Sequence, residues 1–257
     1  MVINFKGTTI NYSVQGKGAA IVLLHGFLEN KTMWDPFISI LSKKNKVVAV
    51  DLLGHGKTGC ISSVHTMEDM ADGVKAVLDK LNINKSVFIG HSMGGYVALA
   101  FAEKYPNDVA GLCLMNSTSQ SDSEEKKINR DRAVEAVINN KNRFVRISVT
   151  NLFRPKNRIV FKKELKKVKK EALQIPVEGI TAALKGMKNR KDRTKFLRLL
   201  PCKKMMIIGK RDPVLDYEVL IDQTKNTDIQ VVEFPDGHMS HIENKEGFLT
   251  SIMHFIE

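Results

Sequence analysis

Ser86-Val87-Phe88-Ile89-Gly90-His91-Ser92-Met93-Gly94-Gly95-Tyr96-Val97-Ala98-Leu99-Ala100-Phe101 runs from a short branched apolar stretch, through closely spaced glycines, into apolar residues at helical spacing. Such a stretch reads as strand, sharp turn and helix. Neighbouring backbone comes close at a turn this tight, so glycine is required two positions before and two after the serine. The Ser92 hydroxyl is then pushed outward at a helix N-terminus, where main-chain N–H groups and the helix dipole favour negative charge. The bare Gly-x-Ser-x-Gly pattern arises by chance in about one chain in ten of this length, so its weight depends on its neighbours along the chain.

Short branched runs alternate with amphipathic stretches on both sides of that turn, the pattern of βαβ units around a parallel sheet. The expected strands are Val2 to Phe5 and Thr9 to Val14 as an opening hairpin, then Ala20 to Leu24, Lys46 to Val50, Ser86 to Ile89, Val109 to Met115, Cys202 to Ile208 and Ile229 to Phe234. Helices are expected at Met33 to Ser42, Met67 to Leu81, Met93 to Lys104 and Glu243 to Phe255. From Asn116 to about Arg190 the alternation stops, and Glu124 to Asn139, Lys162 to Leu173 and Val177 to Met187 have helical composition. The reading is an α/β fold: a mostly parallel, doubly wound sheet of about eight strands. A helical cap, residues 117–190, is expected to interrupt a core made of residues 1–116 and 191–257. In such sheets ligands sit beyond the carboxyl ends of the strands.

Composition bounds the function. With 257 residues, 43% hydrophobic and 26% charged, the chain is long enough for one core without disulfide or metal staples. No segment reaches the ~18 consecutive apolar residues of a membrane span, and no basic leader precedes an apolar run. A soluble cytoplasmic protein without stable membrane insertion is the expectation. Cys60, Cys113 and Cys202 show no metal-ligand spacing and read as reduced structural thiols. The net charge of +12 is localised: Glu124 to Arg198 holds 23 Lys+Arg against 8 Asp+Glu, a balance of +15, and the remainder carries −3. That segment reads either as a solvated helical face or as an attractor for an anionic substrate, such as a carboxylate or an acyl carrier thioester. Aromatic residues are not interleaved with its lysines and arginines, so nucleic acid is not an expected partner. Gly54-His55-Gly56-Lys57-Thr58 resembles the end of a phosphate-binding loop, but Asp51 occupies the upstream glycine position, so ATP is not expected.

A serine nucleophile needs a base to take its proton and a third group to orient that base. The chain order that accompanies this elbow is Ser, acid, His, which leaves His238, His241 and His254. His238 follows the last strand through Pro235-Asp236-Gly237 and is favoured; His241 lies at the start of the final helix, and His254 within it. The acid should follow the preceding strand. Gly209-Lys210-Arg211-Asp212-Pro213 supplies Asp212, with Asp216 the nearest alternative. Two N–H donors are needed for the oxygen of a tetrahedral intermediate; Met93 after the serine and Phe27 in Leu24-His25-Gly26-Phe27 are the candidates. His25 reads as a loop brace, and Asp51-Leu52-Leu53-Gly54-His55-Gly56 as a tight turn that shapes the wall of the site.

His25-Gly26-Phe27, Asp51 to Gly56, Gly90 to Gly95, Gly209 to Asp212 and Gly237-His238 together resemble, in order and spacing, the α/β-hydrolase superfamily. The likeness is to its capped, cofactor-free branch of carboxylesterases, enol-lactonases, carbon–carbon bond hydrolases and the menaquinone-pathway lyase. Haloalkane dehalogenases and epoxide hydrolases of this fold carry aspartate where Ser92 stands. Asn116 stands where some relatives place their acid, which removes one competitor to Asp212. The resemblance implies an esterase-type serine hydrolase acting on a small-molecule ester, thioester or lactone, with no cofactor and no metal. A lyase or carbon–carbon hydrolase using the same triad, and a ligand receptor that retains it, are the alternatives.

Overall fold

All eight expected strands form, each end within two residues of the sequence reading, in the computed structural model, which describes residues 1–257. β1 (Val2–Phe5) and β2 (Thr8–Gln15) are antiparallel, with Val2 opposite Asn11, and β2 is antiparallel to β4 (Asn45–Val50). β3 (Ala19–Leu24), β5 (Ser86–His91), β6 (Val109–Met115), β7 (Lys203–Gly209) and β8 (Gln230–Phe234) continue the sheet in parallel with β4. The order is β1-β2-β4-β3-β5-β6-β7-β8. The runs Ile21-Val22-Leu23-Leu24 and Val47-Val48-Ala49-Val50 are buried throughout, as strands covered on both faces must be. The chain builds outward from β3 in both directions, so the loops after β3 and β5 face one crevice.

Helices cover both faces. α1 (Asp35–Leu41) follows a 3₁₀ turn whose Asn30 cap accepts from Thr32 N–H, and it buries Phe37 and Leu41. With α11 (Lys245–Ile256), which contributes Phe248, Ile252 and Phe255, it closes one side. α2 (Met67–Lys80), capped by the Thr66 hydroxyl on Asp69 N–H, and α3 (Met93–Lys104) close the other. The expected closing helix, Glu243 to Phe255, forms as α11, which starts two residues later; a short α10 (Ser240–Glu243), which the sequence reading does not give, stops before Asn244, whose φ of −138° and ψ of 42° separate it from α11.

Between β6 and β7 there is no strand. The segment holds α4 (Glu124–Leu152), α5 (Asn157–Val160), α6 (Lys162–Ala172) and α7 (Val177–Lys188), followed by α8 (Thr194–Leu199). α4 runs well past Asn139, the expected end. A kink at Asn140, with φ −157° and ψ 81°, divides it, and Asn140 Oδ1 accepts from Arg143 N–H to restart the helix. Val137, Val145, Val149, Phe153, Leu165, Ile180 and Met187 from this segment belong to the same apolar core as α2 and α3. α7 meets the loop after β4 without side chains between them. A Cβ on Gly179 would lie 2.2 Å from the Gly54 carbonyl oxygen, and one on Gly186 would lie 1.7 Å from that of His65. α9 (Tyr217–Thr224) completes the β7–β8 connection. No helix is long and apolar enough to cross a membrane, and the three cysteines are free.

Candidate active site

Ser92 sits between β5 and α3 with φ 50° and ψ −113°, a conformation that L-residues hold only when their surroundings enforce it. The enforcement is visible. Ser92 N–H donates to the Met115 carbonyl at 2.9 Å, and Ser117 Oγ donates to the Ser92 carbonyl at 2.8 Å. A Cβ on Gly94 would lie 2.4 Å from the Leu24 carbonyl oxygen, so nothing larger than glycine fits against β3.

His238 and Asp212 meet at the ends of β8 and β7. His238 Nδ1 lies 2.7 Å from Asp212 Oδ2, and the two side chains are 2% and 0% exposed. Asp212 Oδ1 accepts from the N–H groups of Val214 and Leu215, and Asn116 Nδ2 donates to Oδ2 at 3.2 Å and to the Gly237 carbonyl at 3.1 Å. Burial works against charge on Asp212, but the His238 imidazole and these donors outweigh it and hold the carboxyl below its usual range. An ionised Asp212 places the His238 proton on Nδ1 and leaves Nε2 as the basic nitrogen. Asp216, the alternative acid, is instead the N-cap of α9 and accepts from Val219 N–H at 3.0 Å.

Ser92 and His238 line one cavity of about 80 Å³ together with Phe27, Tyr96, Arg130, Leu152 and Met187. No hydrogen bond joins the Ser92 hydroxyl to the His238 ring across it. Met93 opens α3, so its N–H has no intrahelical acceptor, and Phe27 N–H has no backbone partner in its loop. His25 braces that loop: its Nδ1 lies 2.8 Å from the Gly26 carbonyl, and its Nε2 accepts from Leu52 N–H at 2.9 Å. Asp51 accepts from the N–H groups of Lys31 and Lys57, which closes the turn after β4.

A family model described as the alpha/beta hydrolase fold matches residues 19–245. The chain belongs to this family. A thermophilic esterase from Thermogutta terrifontis, in a malate-bound structure, superposes on this α/β-hydrolase with a TM-score of 0.92 at 32% identity, covering 97% of this chain and 93% of the other. The 3-oxoadipate enol-lactonase 1 of Acinetobacter baylyi is 27% identical over 262 residues, which cover 100% of this chain and 96% of that protein. Other curated relatives are spanned over less than half of their length, among them a Mycobacterium phage D29 protein over 41% and a Mycobacterium bovis protein over 31%.

Next to Ser92, this α/β-hydrolase buries a second cluster that the sequence reading does not assemble, and one of its members, His91, also lines the Ser92 cavity. Glu29, three residues after Gly26, accepts through Oε2 from Gly26 N–H at 2.8 Å and lies 2.6 Å from His91 Nδ1. His241 Nε2 is 3.9 Å from the other carboxylate oxygen, which has no hydrogen-bond partner. Burial raises the cost of charge on Glu29, yet the His91 imidazole holds the carboxyl down at about 2. Burial opposes the charge on His91, and the Glu29 carboxylate more than compensates, so its pKa lies above the usual value. His241, buried without a close carboxylate hydrogen bond, is pushed down to about 3 and stays neutral. Ligand atoms of these three residues lie within 4.8 Å of one another, a spacing compatible with a metal ion. Glu29 Oε2 and His91 Nδ1 are, however, already engaged with each other. His91 adjoins Ser92 but precedes it in chain order, and nothing in the spacing of Glu29 marks it.

Proposed function

We propose that this α/β-hydrolase is a serine hydrolase that cleaves a small-molecule ester, thioester or lactone through an acyl-Ser92 intermediate. The observation that carries the reading is the buried His238–Asp212 pair at 2.7 Å, whose imidazole shares a cavity with a serine held at φ 50°. The esterase and enol-lactonase named above support the same reaction class.

In this mechanism His238 Nε2 takes the Ser92 proton as Oγ bonds to the substrate carbonyl carbon, while Asp212 holds the Nδ1–H tautomer and stabilises the imidazolium. The N–H groups of Phe27 and Met93 receive the developing oxyanion. Collapse expels the alcohol, thiol or ring oxygen, protonated by His238, and leaves acyl-Ser92. A water activated by the same histidine then releases the acid and restores the serine. Residues 117–190 act as a cap over a core of residues 1–116 and 191–257, a division supported by the contribution of Arg130, Ser148, Leu152 and Met187 to the Ser92 cavity. Arg130 gives the anionic-substrate reading a specific cation within that cavity.

Ser92→Ala is expected to abolish organophosphate labelling and to reduce turnover across an ester panel by about 10⁶-fold. Esterase activity surviving at the wild-type level would overturn the reading.

A further inference from the structure

We propose that Glu29 and His91 form a positioning pair that locks the Phe27 loop and the His238 loop onto the Ser92 turn, an inference that rests on the serine-hydrolase reading. Three catalytic segments converge on these two side chains, which are 3% and 1% exposed. The Glu29 carboxylate accepts the N–H of Gly26, directly before Phe27. His91 directly precedes Ser92 and meets the same oxygen through Nδ1. Its Nε2 lies 2.9 Å from the backbone carbonyl of His238. A carbonyl only accepts, so Nε2 carries a proton; with Nδ1 also donating, the ring is an imidazolium matched to one carboxylate.

Close packing independently marks the arrangement. A Cβ on Gly26 would lie 2.5 Å from Glu29 Oε2 and 2.7 Å from His91 Nδ1, so the loop carrying Phe27 approaches the pair as closely as backbone can. The His91 and His238 rings are 5.1 Å apart. A buried ion pair contributes little net stability relative to apolar residues of the same volume, whereas a misplacement of about 1 Å at a catalytic group costs about 10²-fold in rate. What the pair contributes is therefore placement.

The test uses Glu29→Gln as its background, because glutamine still accepts from Gly26 N–H and leaves no unpaired buried charge beside a substituted His91. Adding His91→Leu then severs the link to the His238 carbonyl together with the contact to residue 29, and adding His91→Gln restores a donor to the carbonyl. Rates are measured per site titrated with organophosphate at Ser92, so that misfolded protein is not counted. The leucine double variant is expected to lose about 10²-fold in kcat with KM within about twofold of its background, and the glutamine double variant is expected to recover most of that loss. If the leucine variant does not fold, His91→Asn, one methylene shorter than His91→Gln, makes the same cut. Equal kcat per titrated site in the severed and restored variants would overturn the positioning role. Failure of the wild-type protein to label at Ser92 would instead overturn the serine-hydrolase reading.

Discussion

Arg130 is the one lysine or arginine on the wall of the cavity that holds Ser92 and His238. Its Nε donates to Asp122 Oδ2 at 3.0 Å, and Asp122 also pairs with Arg190 at 2.8 Å, so one carboxylate stands between two guanidinium groups. One positive charge is left over beside the proposed nucleophile. Arg130→Gln keeps Asp122 paired with Arg190 and is expected to lower kcat/KM for anionic esters by about tenfold, the worth of one charged hydrogen bond. Neutral esters of the same acyl group should be unaffected, and parallel losses on both substrate sets would remove Arg130 from specificity. At this scale the sequence is legible where a residue type is forced by chain geometry. Ser92 follows from the glycines around it, and Asp212 and His238 from their places at strand ends. Glu29 is not legible: a carboxylate three residues beyond a glycine looks like any loop residue until the fold brings His91 against it.

Among the elements, the end of α4 is stitched to the loop that carries His238. Glu243 accepts from the N–H groups of Gly237 and Met239 through one oxygen, and from Arg154 N–H and Asn157 Nδ2 through the other. Arg154 pairs with Asp236 at 2.9 Å, and His238 N–H donates to the Leu152 carbonyl. Every partner of Glu243 is a donor. Glu243→Gln would turn an NH₂ group toward one of those pairs and is expected to destabilise the protein by about 1–3 kcal/mol, read as a shift in denaturant midpoint at unchanged slope. An unchanged midpoint would mean that the stitch adds nothing to stability. This half of α4 is not legible as helix in the sequence. After Asn139-Asn140 the run Phe144-Val145-Arg146-Ile147-Ser148-Val149-Thr150 is rich in β-branched residues, which disfavour helix locally. Burial of Val145, Val149 and Phe153 in the common core overrides that preference. The break at Asn244 is likewise tertiary, since Glu243 is held by the loop rather than by the helix that follows.

For the molecule as a whole, buried histidines set the response to acid. Burial pushes the imidazoles of His25, His55, His65 and His241 below the usual 6.5, to about 3 for His55 and His241. Below pH 6.5 the unfolded chain takes up protons that these folded sites refuse, so stability falls by up to about 1.4 kcal/mol per pH unit for each site. Glu29 adds a second loss at lower pH: its contribution is complete above 4.5 and disappears as pH drops toward about 2. His91 has the opposite sign, with its contribution complete below 6.5 and lost as pH climbs through its raised value. Thermal melts are therefore expected to show Tm declining from pH 6.5 to 4.5, before most carboxylates titrate; a flat Tm over that range would contradict neutral buried histidines. The sheet was legible at this scale because buried parallel strands write themselves as apolar runs. The lysine excess was legible as composition, but its division was not: Arg190 and Arg193 are buried anchors, with Arg193 paired to Glu68 and Glu103, whereas most of the lysines of α6 face outward.

The bare backbone meeting of Gly54 with Gly179 also limits how this scaffold can be re-engineered. Helical segments from relatives can be exchanged onto this sheet only as cassettes whose last long helix brings glycine to the same point. A donor helix with even alanine there would stand off from the turn after β4 and tilt the cavity wall that carries Met187. Recombination libraries built on this chain should therefore treat the two glycines as one inherited unit.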